Sequence, residues 1–280
     1  MLLRRKEAAA MKLVANARMY AVTPEAEAAW QALISEVADE AKVELDYQPY
    51  PAPQPLEHLW RRNDIAAVQM CGYPIALGIA DVVPLAAPIP AAAWADHQAV
   101  YRSDLIVRAD APYRTLVDTF GGTAGWTVGH SQSGFNAFRH HLLGYRTSAR
   151  PTLYGRVVGN LVTARRIIDA VLDGTIDIGP LDAYWHMLIS RYRPAMTAGI
   201  RVLETTEVVP MPAFVAARDT PPEYIERLRD AFIRAHTRPW FARFRESLLL
   251  EGFSAVTHAS YARTLQWQRA ARDAGYPFPA

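Results

Sequence analysis

The first part of the chain alternates between strand-like and helix-like patterns of apolar residues. Thr23 and Pro24 form a typical helix start, a capping residue followed by proline at the first helical position. Trp30, Leu33 and Val37 then follow at helical spacing, which predicts one buried face. Short apolar runs predict buried strands at 12–17, 43–47, 65–70, 82–87 and 103–107. Alternation of strands and helices favours an α/β fold.

The same alternation starts again near residue 112. It predicts helices at 112–119, 131–143, 161–172 and 181–191, and strands at 125–128, 176–178, 201–204 and 210–216. Gly144 and Gly174 follow two of these helices, so we expect both in the left-handed conformation that ends a helix. From residue 220 to 272 the pattern is mostly helical, with a break before Pro239. We therefore expect two α/β units, the strand at 103–107 leading into the second and the strand at 210–216 leading back.

Composition places the chain among ordinary globular proteins. Of its 280 residues, 51% are hydrophobic and 21% are charged, which excludes a disordered or fibrous protein. Cys71 is the single cysteine, so neither an internal disulfide nor a site of several thiolates can form. A net charge of +2, from 30 basic and 28 acidic residues, argues against nucleic acid as a partner.

No segment of the sequence predicts a membrane span or direct membrane insertion. No apolar run reaches the roughly 18 residues that a transmembrane helix needs. Residues 1–12 are charged and lack the apolar stretch of a signal peptide. As the sequence stands this predicts a cytoplasmic protein, whereas a missing leader would make it periplasmic.

The strongest chemical signal is the helix start at Ser131. A strand ending in Gly129 is followed by Ser131, Gln132, Ser133 and then Gly134, at the head of an amphipathic helix. Free backbone N–H groups, the positive end of the helix dipole and two hydroxyls would meet there, which suits an anion or a polar headgroup. The alternative is that one of the two serines only caps the helix.

The same residues come close to the nucleophile motif of a serine hydrolase. Gly129-His130-Ser131-Gln132-Ser133 differs from Gly-x-Ser-x-Gly only at its last position. Ser131 would need an acid, Asp182 or Asp230, and His258 further along the chain. Ser133 in place of the final glycine and the absence of an upstream His-Gly-Gly motif argue against this hypothesis.

No motif predicts a cofactor or a metal ion. The chain has no Gly-x-Gly-x-x-Gly and no phosphate-binding P-loop, so a nucleotide cofactor is not indicated. His140 and His141 are adjacent rather than four residues apart, and no His-Glu-x-x-His occurs.

Several segments, taken in order, resemble a known family. They are Arg18-Met19-Tyr20, residues 68–77, residues 101–110, Ser131–Gly134, residues 170–184 and Pro210 with the following residues before Thr220. This ordered set is similar to the phosphate/phosphonate-type substrate-binding proteins of ABC importers, which have the type 2 periplasmic-binding-protein fold. The resemblance spans nearly the whole chain.

The resemblance implies two lobes, each a mixed sheet flanked by helices, with two crossing strands as a hinge and a cleft between them. It implies a first lobe from residues 11–105 and 207–280, and a second lobe from residues 106–206. By the same resemblance, a set of polar side chains would contact the ligand: Tyr20, Tyr73, Ser103, Ser131, Gln132, Ser133 and Asp182. Tyrosine suits such a cleft because its hydroxyl can bind an oxyanion while its ring contacts the organic part of the ligand.

The function expected from these observations is capture of a small polar or anionic solute of the phosphate or phosphonate class. The protein would bind without transforming its ligand, and an ABC permease is the partner that such binding implies. An alternative is a cytosolic enzyme on the same fold, similar to chorismate dehydratase. The serine hydrolase using Ser131 is a third hypothesis.

Overall fold

The structure, a computed structural model, describes residues 12–280. The N-terminal stretch on which the expectation about a leader rests, residues 1–11, therefore lies outside the described part, as does the first residue of the expected first lobe. Along the first part of the chain the strands are β1 (Leu13–Asn16), β2 (Leu45–Tyr47), β3 (Ile65–Met70), β4 (Val82–Pro90), β5 (Val100–Tyr101) and β6 (Ser103–Arg108). The helices among them are α1 (Pro24–Ala41), α2 (Leu56–Trp60) and α3 (Gly72–Leu77).

The remaining elements follow the same alternation. The strands are β7 (Thr123–Gly125), β8 (Arg156–Val158), β9 (Gly179–Asp182), β10 (Ile200–Thr205), β11 (Val209–Pro210), β12 (Ala213–Ala217) and β13 (Leu250–Ala255). The helices are α4 (Ala137–Leu143), α5 (Ala164–Leu172), α6 (Ala183–Tyr192), α7 (Pro194–Thr197), α8 (Pro222–Arg234), α9 (Ala242–Ser247) and α10 (Ala262–Asp273). A π-helical turn, Gln132–Asn136, leads directly into α4.

The first lobe is built on a six-stranded mixed sheet with the order β13-β4-β12-β3-β1-β2. β1 pairs in parallel with β2 and β3, whereas β12 runs antiparallel between β3 and β4. Every residue of β3 and β12 is buried, because helices cover the sheet on both faces. The aromatic centre of this core is Phe214, whose ring stacks on Phe232 at 4.7 Å between centroids.

The second lobe is built on a smaller antiparallel sheet with the order β10-β6-β9. Alternate residues of β6 enter separate apolar clusters on its two faces: Leu105 and Val107 in one, Ile106 in the other. β7 extends this region, since it pairs in parallel with β8 and reaches Ile178 through a single bridge.

Two short strands join the lobes. β5 and β11 pair antiparallel, Val209 opposite Tyr101 and Pro210 opposite Val100. β5 runs directly into β6 of the second lobe, and β11 runs into β12 of the first lobe. The chain thus crosses between the lobes twice at one place, as expected. Within residues 12–280, no helix combines the length and the apolar character that a bilayer crossing requires.

The helix starts agree with the sequence patterns where a capping residue marks them. Thr23 Oγ1 accepts the Ala26 N–H, and Pro24 occupies the first position of α1. The predicted helix at 161–172 begins later, at Ala164, because Thr163 is its capping residue. Gly174 has a φ of 79° and is left-handed as predicted.

Several details of the secondary structure were predicted wrongly. The strand expected at 125–128 lies at 123–125, and the helix expected at 112–119 is only a 3-10 turn at Leu116–Thr119. Residues 250–255 form β13 rather than helix, because they pair with the otherwise free edge of β4. The strand expected at 176–178 lies at 179–182 instead, and the following helix begins at Ala183. Gly144 has a φ of −63°, so it continues the right-handed conformation of α4 and does not end the helix in the left-handed region.

Candidate functional site

A cavity of about 710 Å³ lies between the two lobes. The first lobe supplies the segment after β1, a proline-rich loop at 49–53, α2 and Cys71. The second lobe supplies residues 127–133, residues 162–166 and the start of α6. The cavity therefore lies where the chain brings together the ends of strands from both sheets.

The helix start at Ser131 lines this cavity. The Ser131 Oγ accepts the backbone N–H of Gly134 at 3.0 Å, so it caps the helix. A hydroxyl that accepts in this way keeps its own O–H for a ligand. Ser133 also lines the cavity, and the N–H groups of the first helical residues have no acceptor within the helix. The structure thus shows the cap expected from the sequence, and binding of an anion at the same place stays a prediction.

Gly134 is required for this arrangement. A Cβ at this position would lie 2.0 Å from the Thr127 Oγ1 and 3.0 Å from the Ser131 Oγ. Thr127 donates its backbone N–H to the Gly134 carbonyl at 3.1 Å, so the segment after β7 runs against the helix start. Because Gly134 has no side chain, the hydroxyls of Thr127 and Ser131 can both lie close to its Cα.

Buried polar atoms without a protein partner mark the same place. Among residues 12–280, the Thr127 Oγ1 and the His130 Nδ1 are buried and have no hydrogen-bond partner, and both residues line the cavity. An unpaired buried polar group costs about 1–3 kcal/mol, so such groups are normally satisfied by water or a ligand. Both atoms lie beneath the cavity surface, so a ligand would reach them only after a side-chain rotation.

Asp182 lines the cavity from the start of α6. Its Oδ1 accepts the N–H groups of Tyr184 and Trp185, each at 3.0 Å, and its Oδ2 accepts the hydroxyl of Tyr20, also at 3.0 Å. Burial raises the pKa of Asp182 to about 7. The three hydrogen-bond donors lower this pKa, and the nearby charge of Asp104 raises it further, but burial has the largest effect. Burial likewise raises the pKa of the Tyr20 phenol, which stays a hydrogen-bond donor.

We expect Asp182→Asn to stabilise the protein at alkaline pH. A carboxyl with a folded pKa of about 7 and an ordinary value of 3.8 stabilises the fold fully below pH 4, and this stability is lost as the pH rises to 7. Asparagine cannot ionise and keeps an acceptor for the two N–H groups. Three pKa units correspond to about 4 kcal/mol. The Asp182 side chain also faces the cavity, where solvent weakens the effect of burial. We therefore expect Asp182→Asn to gain about half of that free energy of unfolding, about 2 kcal/mol, at pH 8.

Urea unfolding between pH 4 and 9 measures this difference. The stability gained by Asp182→Asn should increase between pH 4 and 7 and stay constant above pH 7. Asp169, an exposed carboxylate on the same cavity, provides the control variant Asp169→Asn, which should change stability by no more than about 0.5 kcal/mol at any pH. A gain from Asp182→Asn that does not depend on pH would contradict the expected ionisation.

The structure brings four of the seven predicted ligand residues to the cavity surface: Tyr20, Ser131, Ser133 and Asp182. Ser103 is fully buried behind them, and its Oγ donates to the Ser133 carbonyl at 2.9 Å. In the sheet, Ser103 lies opposite Asp182. Ser103 thus connects the helix start, through its hydrogen bond, with the strand that carries Asp182. Contact between Ser103 and a ligand stays a prediction.

Gln132 and Tyr73 lie outside the cavity lining. The Gln132 Oε1 accepts from the Asn136 Nδ2 at 2.8 Å, and its Nε2 is buried without a partner among the described residues. Tyr73 is 3% exposed and interacts through its phenol with the guanidinium of Arg139. Both side chains therefore act on the helix at 132–143 from behind, and direct contact with a ligand stays a prediction for each.

Several cavity residues had no clear signal in the sequence. Thr127 and His130 come from the turn before Ser131, and only the folded turn shows that they face the cavity. Behind the lining, the hydroxyl of Tyr101 on the crossing strand β5 lies 3.5 Å from the Cys71 thiol. A tyrosine between two predicted segments gave no pattern that could separate it from an ordinary core residue.

Positive charge also reaches the cavity. Arg18, Arg165 and Arg166 contribute to its lining, together with Glu27 and Asp169. Arg165 is paired with Asp169 at 2.9 Å, and Arg18 donates to the Gln54 carbonyl. With Arg165 paired with Asp169, Arg18 and Arg166 face Glu27 and Asp182, so the charges around the cavity are nearly balanced.

The geometry required of a serine hydrolase is not present in the described part of the chain. Ser131 has no hydrogen bond to a histidine there, and Asp182 is held by Tyr20 and the α6 backbone. Asp230 forms an ion pair with Arg234 on α8. Among residues 12–280 no group of three or more acidic, histidine or cysteine side chains is arranged to hold a metal ion.

The sequence matches a family model over residues 21–261, described as the periplasmic substrate-binding protein of the ABC phosphonate transporter. No curated protein sequence matches the chain. This family match confirms the resemblance predicted from the ordered segments.

Solved structures of low sequence identity share the fold. The binding protein component of an ABC phosphonate transporter (PA3383) from Pseudomonas aeruginosa superposes with a TM-score of 0.77 at 14% identity, covering 94% of this chain and 88% of that one. PhnD1 from Prochlorococcus marinus, solved in complex with methylphosphonate, gives 0.76 at 14% identity and covers 94% and 98%. XAC2383 from Xanthomonas citri, solved with ATP, gives 0.65 at 18% identity and covers 95% and 98%.

The two-lobed α/β fold of the type 2 periplasmic binding proteins is thereby confirmed. Since the family model covers most of the sequence, the chain belongs to the periplasmic substrate-binding proteins of ABC phosphonate transporters, a family that binds solutes and not one of enzymes.

Proposed function

We propose that the protein binds the phosphonate or phosphate group of its ligand at the start of the helix at 132–143. The observation that carries this proposal is that Thr127, Ser131 and Ser133 line one cavity at a helix start, where the first helical N–H groups have no acceptor within the helix. A tetrahedral oxyanion has three oxygens to be satisfied, and charge-assisted hydrogen bonds of 2.5–2.7 Å are the strongest that hydroxyls form.

Tyr20 and Asp182 complete the site in this proposal. The protonated form of Asp182 donates to an oxyanion, whereas its ionised form repels one, because the pKa of about 7 places both forms near neutrality. Ligand binding would therefore favour proton uptake by Asp182. In PhnD1, the ligand is methylphosphonate, which supports the choice of oxyanion.

The lobes would close on the ligand by rotation about the paired strands β5 and β11. We assign residues 11–105 and 207–280 to one lobe and 106–206 to the other, although the boundary at 105/106 falls inside β6, four residues after β5. Each lobe contributes residues to the cavity, so a bound molecule stabilises the closed arrangement by its differential affinity for it.

An ABC permease is the partner we propose for the closed protein, and the periplasm is the compartment. The family description supports both proposals, since it names a periplasmic protein and an ABC transporter.

Calorimetric titration tests the proposed ligand class. Methylphosphonate, inorganic phosphate and sulfate are compared with adipate, a dicarboxylate that lacks a tetrahedral oxyanion. At about 100 times the dissociation constant, a ligand should add about 2.7 kcal/mol to the free energy of unfolding. Binding of methylphosphonate or phosphate with such stabilisation supports the proposal. If no tetrahedral oxyanion binds, or adipate binds more tightly than all of them, the proposal is wrong.

A further inference from the structure

The cavity is larger than a small oxyanion needs. Methylphosphonate has five heavy atoms and fills at most about 150 Å³ if each takes the share of one water molecule, about 30 Å³. The cavity measures about 710 Å³, within the range of about 300–1,000 Å³ that is typical of sites for ligands of drug size. A small phosphonate would therefore leave most of the volume to water.

The volume does not come from lobes that stand apart. His130 of the second lobe contacts Glu57 on α2 of the first lobe, with 2.6 Å between Nε2 and Oε1. The His130 ring also packs edge-on against Trp60, at 5.7 Å between ring centroids. Burial opposes ionisation of Glu57, but its own backbone N–H, His130 and Arg61 outweigh that effect and lower its pKa. The two lobes are therefore already in contact on this side of the cavity.

Much of the lining is apolar and only partly buried. The lining side chains that remain partly exposed beside the first-lobe core are Met19, Val22, Tyr50, Leu56 and Trp185. An oxyanion at Ser131 and Ser133 cannot cover these surfaces. Apolar surface that a ligand removes from water contributes to affinity in proportion to its area, so this wall is matched by an apolar group.

The apolar wall is held in a fixed shape by its own contacts. The loop at 49–55 contains four prolines, which restrict its backbone. Tyr50 donates its hydroxyl to the Pro55 carbonyl at 2.8 Å, and the Arg18 guanidinium lies 5.5 Å from the centre of the Tyr50 ring. Arg18 also donates to the Gln54 carbonyl. A wall that is preformed loses little conformational entropy when a ligand binds.

We propose that the natural ligand is an oxyanion carried on a bulky apolar or aromatic substituent, at least the size of a phenyl ring. This inference rests on the proposed function, because it assigns the oxyanion to the helix start at Ser131. The substituent lies against the wall formed by Tyr50, Leu56 and Trp185. Specificity then depends on the first-lobe loop as much as on the serines.

A ligand series on the unmodified protein tests the inference. Calorimetry compares methylphosphonate, phenylphosphonate and 4-phenylbutylphosphonate, which share one headgroup and differ in the apolar part. We expect phenylphosphonate to bind at least tenfold more tightly than methylphosphonate, and the phenylbutyl compound to bind as tightly or more. Equal or weaker binding of both aromatic compounds overturns this inference and leaves the proposed function intact. If no phosphonate binds, the proposed function fails and this inference fails with it.

A matched pair of variants locates the apolar contact. Tyr50→Ala should weaken phenylphosphonate binding at least fivefold while changing methylphosphonate binding less than twofold. Tyr224 on α8 is the control, since it is also half-buried with an arginine, Arg227, 4.8 Å from its ring centre, and it lies outside the cavity lining. Tyr224→Ala should leave both affinities unchanged. An equal loss for both ligands in Tyr50→Ala would overturn the assignment of the wall.

Discussion

Ser133→Asp should weaken the binding of methylphosphonate at least a hundredfold without unfolding the protein. The substitution places a carboxylate where the ligand oxyanion is expected. Two unit charges 4 Å apart repel by about 4 kcal/mol at an effective dielectric constant of 20, which is several hundredfold in affinity. A carboxylate in the first turn of a helix is favourable to the fold by about 0.3–1 kcal/mol. Thermal stability without ligand should therefore be equal or higher.

The control for this experiment is Ser148→Asp, which adds the same charge at an exposed turn of the second lobe. Its effect on affinity should be less than twofold, because solvent screens a charge that is remote from the ligand. Calorimetric titration of both variants gives the comparison. Undiminished binding by Ser133→Asp would mean that the oxyanion lies elsewhere.

Gly134→Ala should also remove most of the binding, for a steric reason. The added Cβ would lie 2.0 Å from the Thr127 Oγ1 and 2.9 Å from its Cγ2, so the Thr127 side chain must turn away or the helix must move. Either change displaces a hydroxyl from the site, and we expect at least a thirtyfold loss of affinity for methylphosphonate. Overpacking of this kind also costs about 1–3 kcal/mol of stability.

Gly129→Ala is the matched control, since a Cβ on Gly129 would meet nothing within 4 Å. It should bind methylphosphonate as the unmodified protein does. The double variant Thr127→Ala with Gly134→Ala separates the two effects. Removal of the Thr127 side chain relieves the two shortest contacts of the added Cβ, leaving the one at 3.0 Å from the Ser131 Oγ, but does not restore the lost hydroxyl. We expect stability to recover and affinity to stay low. Full recovery of affinity in the double variant would show that Thr127 does not contact the ligand.

Local signals made the helix starts predictable. Thr23 with Pro24 and the Ser-Gln-Ser-Gly sequence at Ser131 each place a capping hydroxyl beside a helix, and the structure shows both caps. Capping depends on residues three apart in the chain, so the sequence carries the whole interaction. The alternation of buried strands with amphipathic helices was predictable for the same reason.

Features that depend on distant pairing were not predictable. β13 forms because the edge of β4 is available to residues 250–255, more than 150 positions along the chain. The pairing of Ser103 with Asp182, which joins the helix start to the acidic residue, likewise depends on sheet register. The contact between Glu57 and His130 crosses the cleft, and neither residue showed a pattern by itself.

A crystal structure of the protein with methylphosphonate bound would test the central claim most directly. We expect the phosphonate oxygens within hydrogen-bond distance of the hydroxyls of Thr127, Ser131 and Ser133, with the methyl group directed towards the remaining cavity. Phosphonate held at any other place, with the helix start at Ser131 occupied only by water, would contradict the account.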